Sequence, residues 1–261
     1  MHHAKRHARR NGRSAWLRSL AAVALLGGTV QAQAFLVDVE LGLAGWSSNF
    51  DGTVQAGSTR IDVDDDLDYS RDTQTFIYAS FKHPIPLIPN VRAQYALIDV
   101  SARNQLEREI SFRGETFSAG AQVASELELD QLDATLFYNL WDTVLSLDLG
   151  LTFRYVDGEL TLAGEGEQAR ASFSGVLPLV HGRARVDLPF TGFWVGAQVD
   201  TIAYSGNRIV DSMVSGGWQT RAGFGVEGGW RHYELKLNDM SRLDRSNIDL
   251  SGPFLGVNFI F

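Results

Sequence analysis

The densest chemistry in this chain is a run of carboxylates. "DVDDDLDYSRD" puts Asp62, Asp64, Asp65, Asp66 and Asp68 within seven residues. Asp62, Asp64 and Asp66 have the spacing of the first three ligands of a calcium-binding loop. Such a loop also needs glycine at its sixth position and glutamate at its twelfth. Those positions hold Leu67 and Thr73, so the pattern fails. What remains is a solvated acidic loop, with a looser divalent site at Asp62, Asp64 and Asp66 as the sharper alternative. Histidine chemistry is equally sparse. Beyond the first 34 residues the histidines are His83, His181 and His232. No Ser–His pair stands at a spacing that would build a nucleophile. No cofactor is implied, and the chain reads as a non-enzyme.

What could position these groups is set by the first residues and by a period. "MHHAKRHARRNGRSAWLR" is basic without an acid, "SLAAVALLGGTV" is apolar, and "QAQA" supplies an A-x-A site. That order is a secretory signal peptide, with cleavage expected after Ala34. Residues 1–34 are thus read as leader and 35–261 as one domain. The chain carries 31 acidic against 23 basic residues, and six of the basic ones leave with the leader. An acidic mature chain excludes nucleic acid as a partner, since phosphate recognition needs clustered cations. There is no cysteine, so no disulfide holds the exported chain.

The mature chain alternates with a period of two. "LSLDLGLTFRY" puts Leu145, Leu147, Leu149, Leu151, Phe153 and Tyr155 on one face. Ser146, Asp148, Thr152 and Arg154 fall on the other. "QLDATLFYNL" sets Leu132, Ala134, Leu136, Tyr138 and Leu140 against Asp133, Thr135 and Asn139. Ten such segments fall near 35–46, 73–83, 91–103, 125–140, 144–160, 172–187, 190–204, 213–227, 229–240 and 251–261. Strands of ten or more residues exceed the usual length in soluble sheets, about 5–6, and match the 9–11 that span a bilayer. A charge-free face opposite a mixed-charge face is the pattern of a closed transmembrane β-barrel, with lipid outside and polar groups inside. Joins alternate: "HPIPLIPN", "WDT", "LPFTG" and "GG" are short, while 47–72, 104–124, 161–171, 205–212 and 241–250 are long and polar. Short periplasmic turns and longer extracellular loops follow. Trp141, Phe190, Phe193, Trp194, Trp230, Phe259 and Phe261 are read as an interfacial girdle.

The inward face balances seven acids against seven bases. It includes Asp38, Glu40, Asp133, Asp148, Arg154, His181, Arg183, Arg185 and Arg221, read as a luminal ion network. About eight strands leave an interior just filled by side chains, so ten predict a narrow or filled lumen rather than a diffusion pore.

Specific stretches now carry a resemblance. "IDVDDDLDYSRDTQTFIYASFKHPIPLIPNVRAQY", "LDATLFYNLWD", "LDLGLTFRYVDGEL", "LPFTGFWVGA" and "GPFLGVNFIF" resemble a family of small proteobacterial outer-membrane β-barrel proteins of undefined function. One position departs: Asp68 stands where that family usually has glycine. The resemblance implies a barrel of roughly ten strands in the bacterial outer membrane, and no catalytic residues. Phe261 resembles the aromatic signal read by the outer-membrane assembly machinery. The expected partners are that machinery and outer-membrane lipid with its lipopolysaccharide, for a monomeric barrel. The function expected is a structural or narrow-channel barrel. The alternatives are a barrel that displays binding or adhesion loops and a barrel enzyme acting on protein or lipid.

Overall fold

A computed structural model describes residues 37–55, 59–69, 71–240 and 243–261, with the backbone alone for 237–240 and 243–244. The leader and its cleavage site lie outside the described residues. The strands are β1 (Asp38–Gln55), β2 (Arg60–Asp62), β3 (Asp72–Lys82), β4 (Asn90–Gln105), β5 (Ile110–Phe112), β6 (Glu115–Phe117), β7 (Gln122–Asp142), β8 (Leu145–Gly164), β9 (Glu167–Asp187), β10 (Phe193–Tyr204), β11 (Asn207–Gln219), β12 (Phe224–Met240) and β13 (Leu243–Ile260). Ten of them form a closed antiparallel barrel in the order β13-β12-β11-β10-β9-β8-β7-β4-β3-β1. The ring closes where β13 pairs β1 from Glu40–Ile260 to Gln55–Arg245. Val39 and Phe261 exchange both backbone hydrogen bonds across that seam at 3.0 Å. Strand β2 extends the sheet edge at the top of β1, and β5–β6 is a separate hairpin in the second long connection.

Ten segments were expected and ten barrel strands are found, but most run higher than the sequence indicated. In β8 the odd positions 145–155 point outward and are apolar, and Leu149, Leu151, Phe153 and Tyr155 are exposed. Above Tyr155 the facing does not change but the chemistry reverses. Asp157, Glu159 and Thr161 point out, while Val156, Leu160 and Leu162 are buried inside. β7 reverses in the same way at Gln131–Leu132, and β4 near Leu97–Ile98. From Leu145 to Tyr155, at about 3.4 Å per residue and a tilt near 40°, the apolar belt is about 26 Å tall. The strands therefore cross the membrane and continue above it, with polar residues meeting water outside and an apolar core inside.

Tight turns explain why some expected loops are strand. Glu165–Gly166 and Ser205–Gly206 join β8 to β9 and β10 to β11, with φ of 53° and 87°, then 51° and 85°. Two successive positive φ values make the turn that follows the twist of a β-hairpin. Only the β1–β3 and β4–β7 connections are long. On the opposite side the joins are 83–89, 143–144, 188–192 and 220–223. The last corrects the "GG" join: the turn between β11 and β12 lies at Thr220–Gly223, and Gly228 and Gly229 sit within β12. Trp194 is also corrected. It points into the barrel and is 3% exposed, whereas Trp141, Phe190, Phe193, Trp230 and Phe261 face outward.

Several inward aromatics lie directly across from glycine, and three of them lay their rings over it. Tyr78 pairs Gly42, Phe173 pairs Gly158 and Trp194 pairs Gly217. A Cβ built on these glycines would fall 2.2, 2.4 and 2.8 Å from the partner ring. Each ring thus lies flat along the wall over a position that only glycine leaves open.

Candidate functional site: the filled lumen and its cap

The lumen is built in layers. At the short-turn end, Lys82 pairs Asp148 at 3.7 Å, and Asn139 donates to Asp148 at 2.7 Å. Arg185 pairs Asp187 at 2.8 Å and stacks on Trp194 at 4.2 Å. Between them a vestibule of about 110 Å³ is lined by Asp38, Lys82, Asp148, Arg183 and Arg185, among others. Above it, Glu40 sits 3.6 Å from Arg183 and 4.0 Å from Arg92. Tyr78 donates to Glu227 at 2.9 Å and to Glu40 at 3.3 Å, and Arg92 stacks on its ring at 4.1 Å.

The next layer is buried and ion-paired. Asp133 and Arg154 are cross-strand partners, and the guanidinium donates twice to the carboxylate, at 2.7 and 2.6 Å. Arg154 also donates to Asp211 at 2.7 Å, and Arg231 donates twice to Asp211, at 3.0 and 2.7 Å. Both arginines are 0% exposed. Arg231 lies 4.7 Å over the ring of Trp46. Beside this group, His181 Nδ1 is 2.8 Å from Asp200, which also accepts from Thr152 at 2.6 Å. Paired, hydrogen-bonded charges are what burial demands, because an uncompensated buried ion is costly.

Directly above, the inward face turns apolar. Tyr233, Leu235, Ile209, Leu250, Leu129, Leu160 and Leu179 are buried, each at 1% exposure or less except Leu160. The two long connections complete this core. Ile61, Val63, Leu67 and Tyr69 from the first, and Leu106, Ile110, Phe112 and Phe117 from the second, are all buried in it.

The acidic loop belongs to this cap. Asp62 accepts from the backbone N–H groups of Asp64 and Asp65 at 3.1 and 3.2 Å, and Asp66 accepts from that of Asp62 at 2.8 Å. Arg108, from the second connection, donates to Asp66 at 3.1 and 2.5 Å and to the carbonyl of Arg60 at 2.7 Å. These hydrogen bonds to Asp66 hold the Arg108 guanidinium above its ordinary pKa. Asp64 points to water while Asp66 is spent on Arg108, so Asp62, Asp64 and Asp66 do not converge on one point. No cluster of three metal-ligating side chains occurs among the described residues. The turn is tight despite Asp68, whose φ of 57° is the left-handed conformation that glycine takes freely and aspartate tolerates.

Of the residues expected in the lumen, Glu40, Asp133, Asp148, Arg154, His181, Arg183 and Arg185 point into it, and Asp38 lines its mouth. Arg221 does not. It is exposed in the 220–223 turn, because β11 ends at Gln219 rather than continuing. The sequence pattern does not reveal Asp211 and Arg231, which hold the centre of the buried ion-paired layer. Asp211 stands in a polar stretch, 205–212, that reads as loop, and the glycines at 217–229 conceal the turn that places Arg231 in the lumen. His232 faces outward in the middle of β12, 3.4 Å from Asp249.

No protein-family profile matches the chain, and no curated protein matches it in sequence. Solved structures do. The outer-membrane protease OmpT from Escherichia coli aligns at a TM-score of 0.52 with 12% identity, over 88% of this chain and 99% of that one. The translocator domain of the autotransporter NalP from Neisseria meningitidis aligns at 0.43 with 10% identity, over 95% and 94%. Ail of Yersinia pestis, in complex with the heparin analogue sucrose octasulfate, aligns at 0.43 with 9% identity, over 86% and 99%. The fold is that of the bacterial outer-membrane β-barrels, and with the lipid-facing belt it locates the chain in that membrane.

Proposed function

We propose that this is a sealed, non-catalytic outer-membrane barrel, a structural element whose wall and rim, rather than a pore, form its working surface. One observation carries the reading: a buried, ion-paired layer lies directly beneath an apolar layer, and the two block the lumen by different physics. Ions crossing the first would have to displace bonds among Asp133, Arg154, Asp211 and Arg231. Above it they would meet mostly aliphatic side chains, where the Tyr233 and Tyr69 hydroxyls are too few to replace lost water. The His181–Asp200 pair is buried beneath that core and presents nothing to an outside substrate, which supports a non-enzyme. The barrel is proposed to act as a monomer. Reconstitution in planar bilayers tests the sealed lumen: no current steps are expected, and steady ion-selective steps would overturn it.

A further inference from the structure

The outer wall is acid-rich, but near the rim of β11–β13 its charge changes sign. A concavity of about 490 Å³ there is lined by Arg60, Lys236 and Arg245 together with Thr53 and Asn247, and by no carboxylate among the described residues. The sheet register gathers them: Arg245 and Arg60 both pair Gln55, while Lys236 pairs Asn247, which pairs Thr53. All three cations are exposed. Their side chains have no ion-pair or hydrogen-bond partner among the described residues. Most other basic side chains of the barrel are committed, to Asp66, Asp133, Asp148, Asp187 or Asp211 for example. Arg60 is held in place by the cap, since Arg108 grips its carbonyl. Of the described acids, Asp62 lies closest, across from Thr53, and its carboxylate accepts from the backbone N–H groups of Asp64 and Asp65; Asp51, Asp249 and Glu234 form a row lower on the wall, where Asp249 faces His232 and Glu234 faces Arg208. A second hollow of about 380 Å³ continues past the β10–β11 turn and brings the exposed ring of Tyr204 beside Lys236.

Three exposed cations around a hollow wide enough for a sugar call for an anionic group with several acceptor oxygens. We infer that this hollow binds the phosphorylated sugar headgroup of an outer-leaflet glycolipid. Direction and height select that source. Lys236, Arg245 and Asn247 occupy outward positions, so they project sideways from the wall rather than into the lumen. Lys236 stands six residues above the lipid-facing Trp230 on β12, about 15 Å along the barrel axis at the usual rise and tilt. That is the zone filled by the headgroups of neighbouring glycolipids. The inference goes beyond the sealed lumen and does not depend on it: a conducting barrel would leave this site intact.

The test is calorimetric titration of the full barrel, refolded in glycolipid-free micelles, with four probes: lipopolysaccharide, its phosphatase-treated form, inorganic phosphate and a heparin fragment. Lipopolysaccharide is expected to bind best, and phosphatase treatment to weaken it at least tenfold. Each surface cation removed should cost roughly fivefold, so the variant R60A/K236A/R245A should lose on the order of a hundredfold. The charge-retaining variant R60K/R245K should keep most of the affinity. All three side chains are exposed, so folding is expected to survive, with heat-dependent gel migration as the check. Unchanged binding by the alanine variant overturns the site, as does indifference to phosphatase. Inorganic phosphate binding as tightly as the glycolipid, or the heparin fragment binding better, overturns the glycolipid assignment.

Discussion

Replacing Arg154 with methionine tests the buried ion-paired layer most directly. The guanidinium makes two bonds to Asp133 and one to Asp211, all at 2.7 Å or less, and is wholly buried. Asp211 keeps both bonds from Arg231 when Arg154 is lost, but Asp133 loses its only charged partner. Removing one member of a buried pair costs about 3–5 kcal/mol, mostly from the charge left behind. At about 1.4 kcal/mol per tenfold, that is a two- to four-decade fall in the folding equilibrium. The double variant D133L/R154M removes both charges and should recover most of the loss, since an apolar pair of similar volume is often neutral. Reversible urea unfolding in detergent micelles, followed by tryptophan fluorescence, measures both, because Trp46 lies against Arg231. R154M should also remain silent in planar bilayers, because the apolar layer above is untouched. Two results would refute the reasoning: a loss below about 1 kcal/mol in R154M, or a double variant as unstable as the sum of the single ones.

Three further perturbations address other parts. Asp66→Asn weakens the bond between the two long connections. A hydrogen bond to a charged group contributes about 1.5–3 kcal/mol, reduced here because Arg108 is half-exposed; cleavage within 106–121 by added protease should rise about tenfold, and an unchanged rate would show that the cap is held by packing alone. Gly42→Val drives a side chain into the ring of Tyr78 and so into the contacts of Glu40 and Glu227; a loss of about 1–3 kcal/mol is expected in the same urea assay, against little effect at Gly45, where a Cβ meets only Thr73 at 3.8 Å. Phe261→Ala removes a ring packed on Phe259 at the barrel seam; folded barrel in outer-membrane fractions should fall severalfold, and normal levels would discard its role in assembly.

How much of this was readable depended on which solvent a residue meets. In the membrane half, Leu145 to Tyr155 alternate with Asp148, Thr152 and Arg154, a pattern few other environments produce. Fold, strand number and most luminal charges followed from it. Above the belt both solvents change, and Asp157, Glu159 and Thr161 facing water look like the start of a loop. The strands were therefore ended early, and Asp211 was assigned to a connection. At 217–229 the run of glycines concealed which residues turn, which displaced Arg221 into the lumen and Arg231 out of view. The cap left a signal that went unread: Ile61, Val63, Leu67 and Tyr69 are spaced through the aspartates, and a purely solvated loop has no use for four large apolar side chains.

The mid-strand reversal also governs alignment between neighbours. A slip of one residue turns every side chain of a strand to the other face. In a barrel that is polar inside throughout, such a slip is penalised only within the membrane. Here β8 would carry Asp148 and Arg154 into hydrocarbon at one end, and at the other would expose Val156, Leu160 and Leu162 to water while burying Asp157 and Glu159. The two halves reject the error independently and in opposite solvents. The strands that reverse, β4, β7 and β8, thus specify their neighbours' offset twice, and even loop sequences that tolerate slippage would leave their pairing unambiguous.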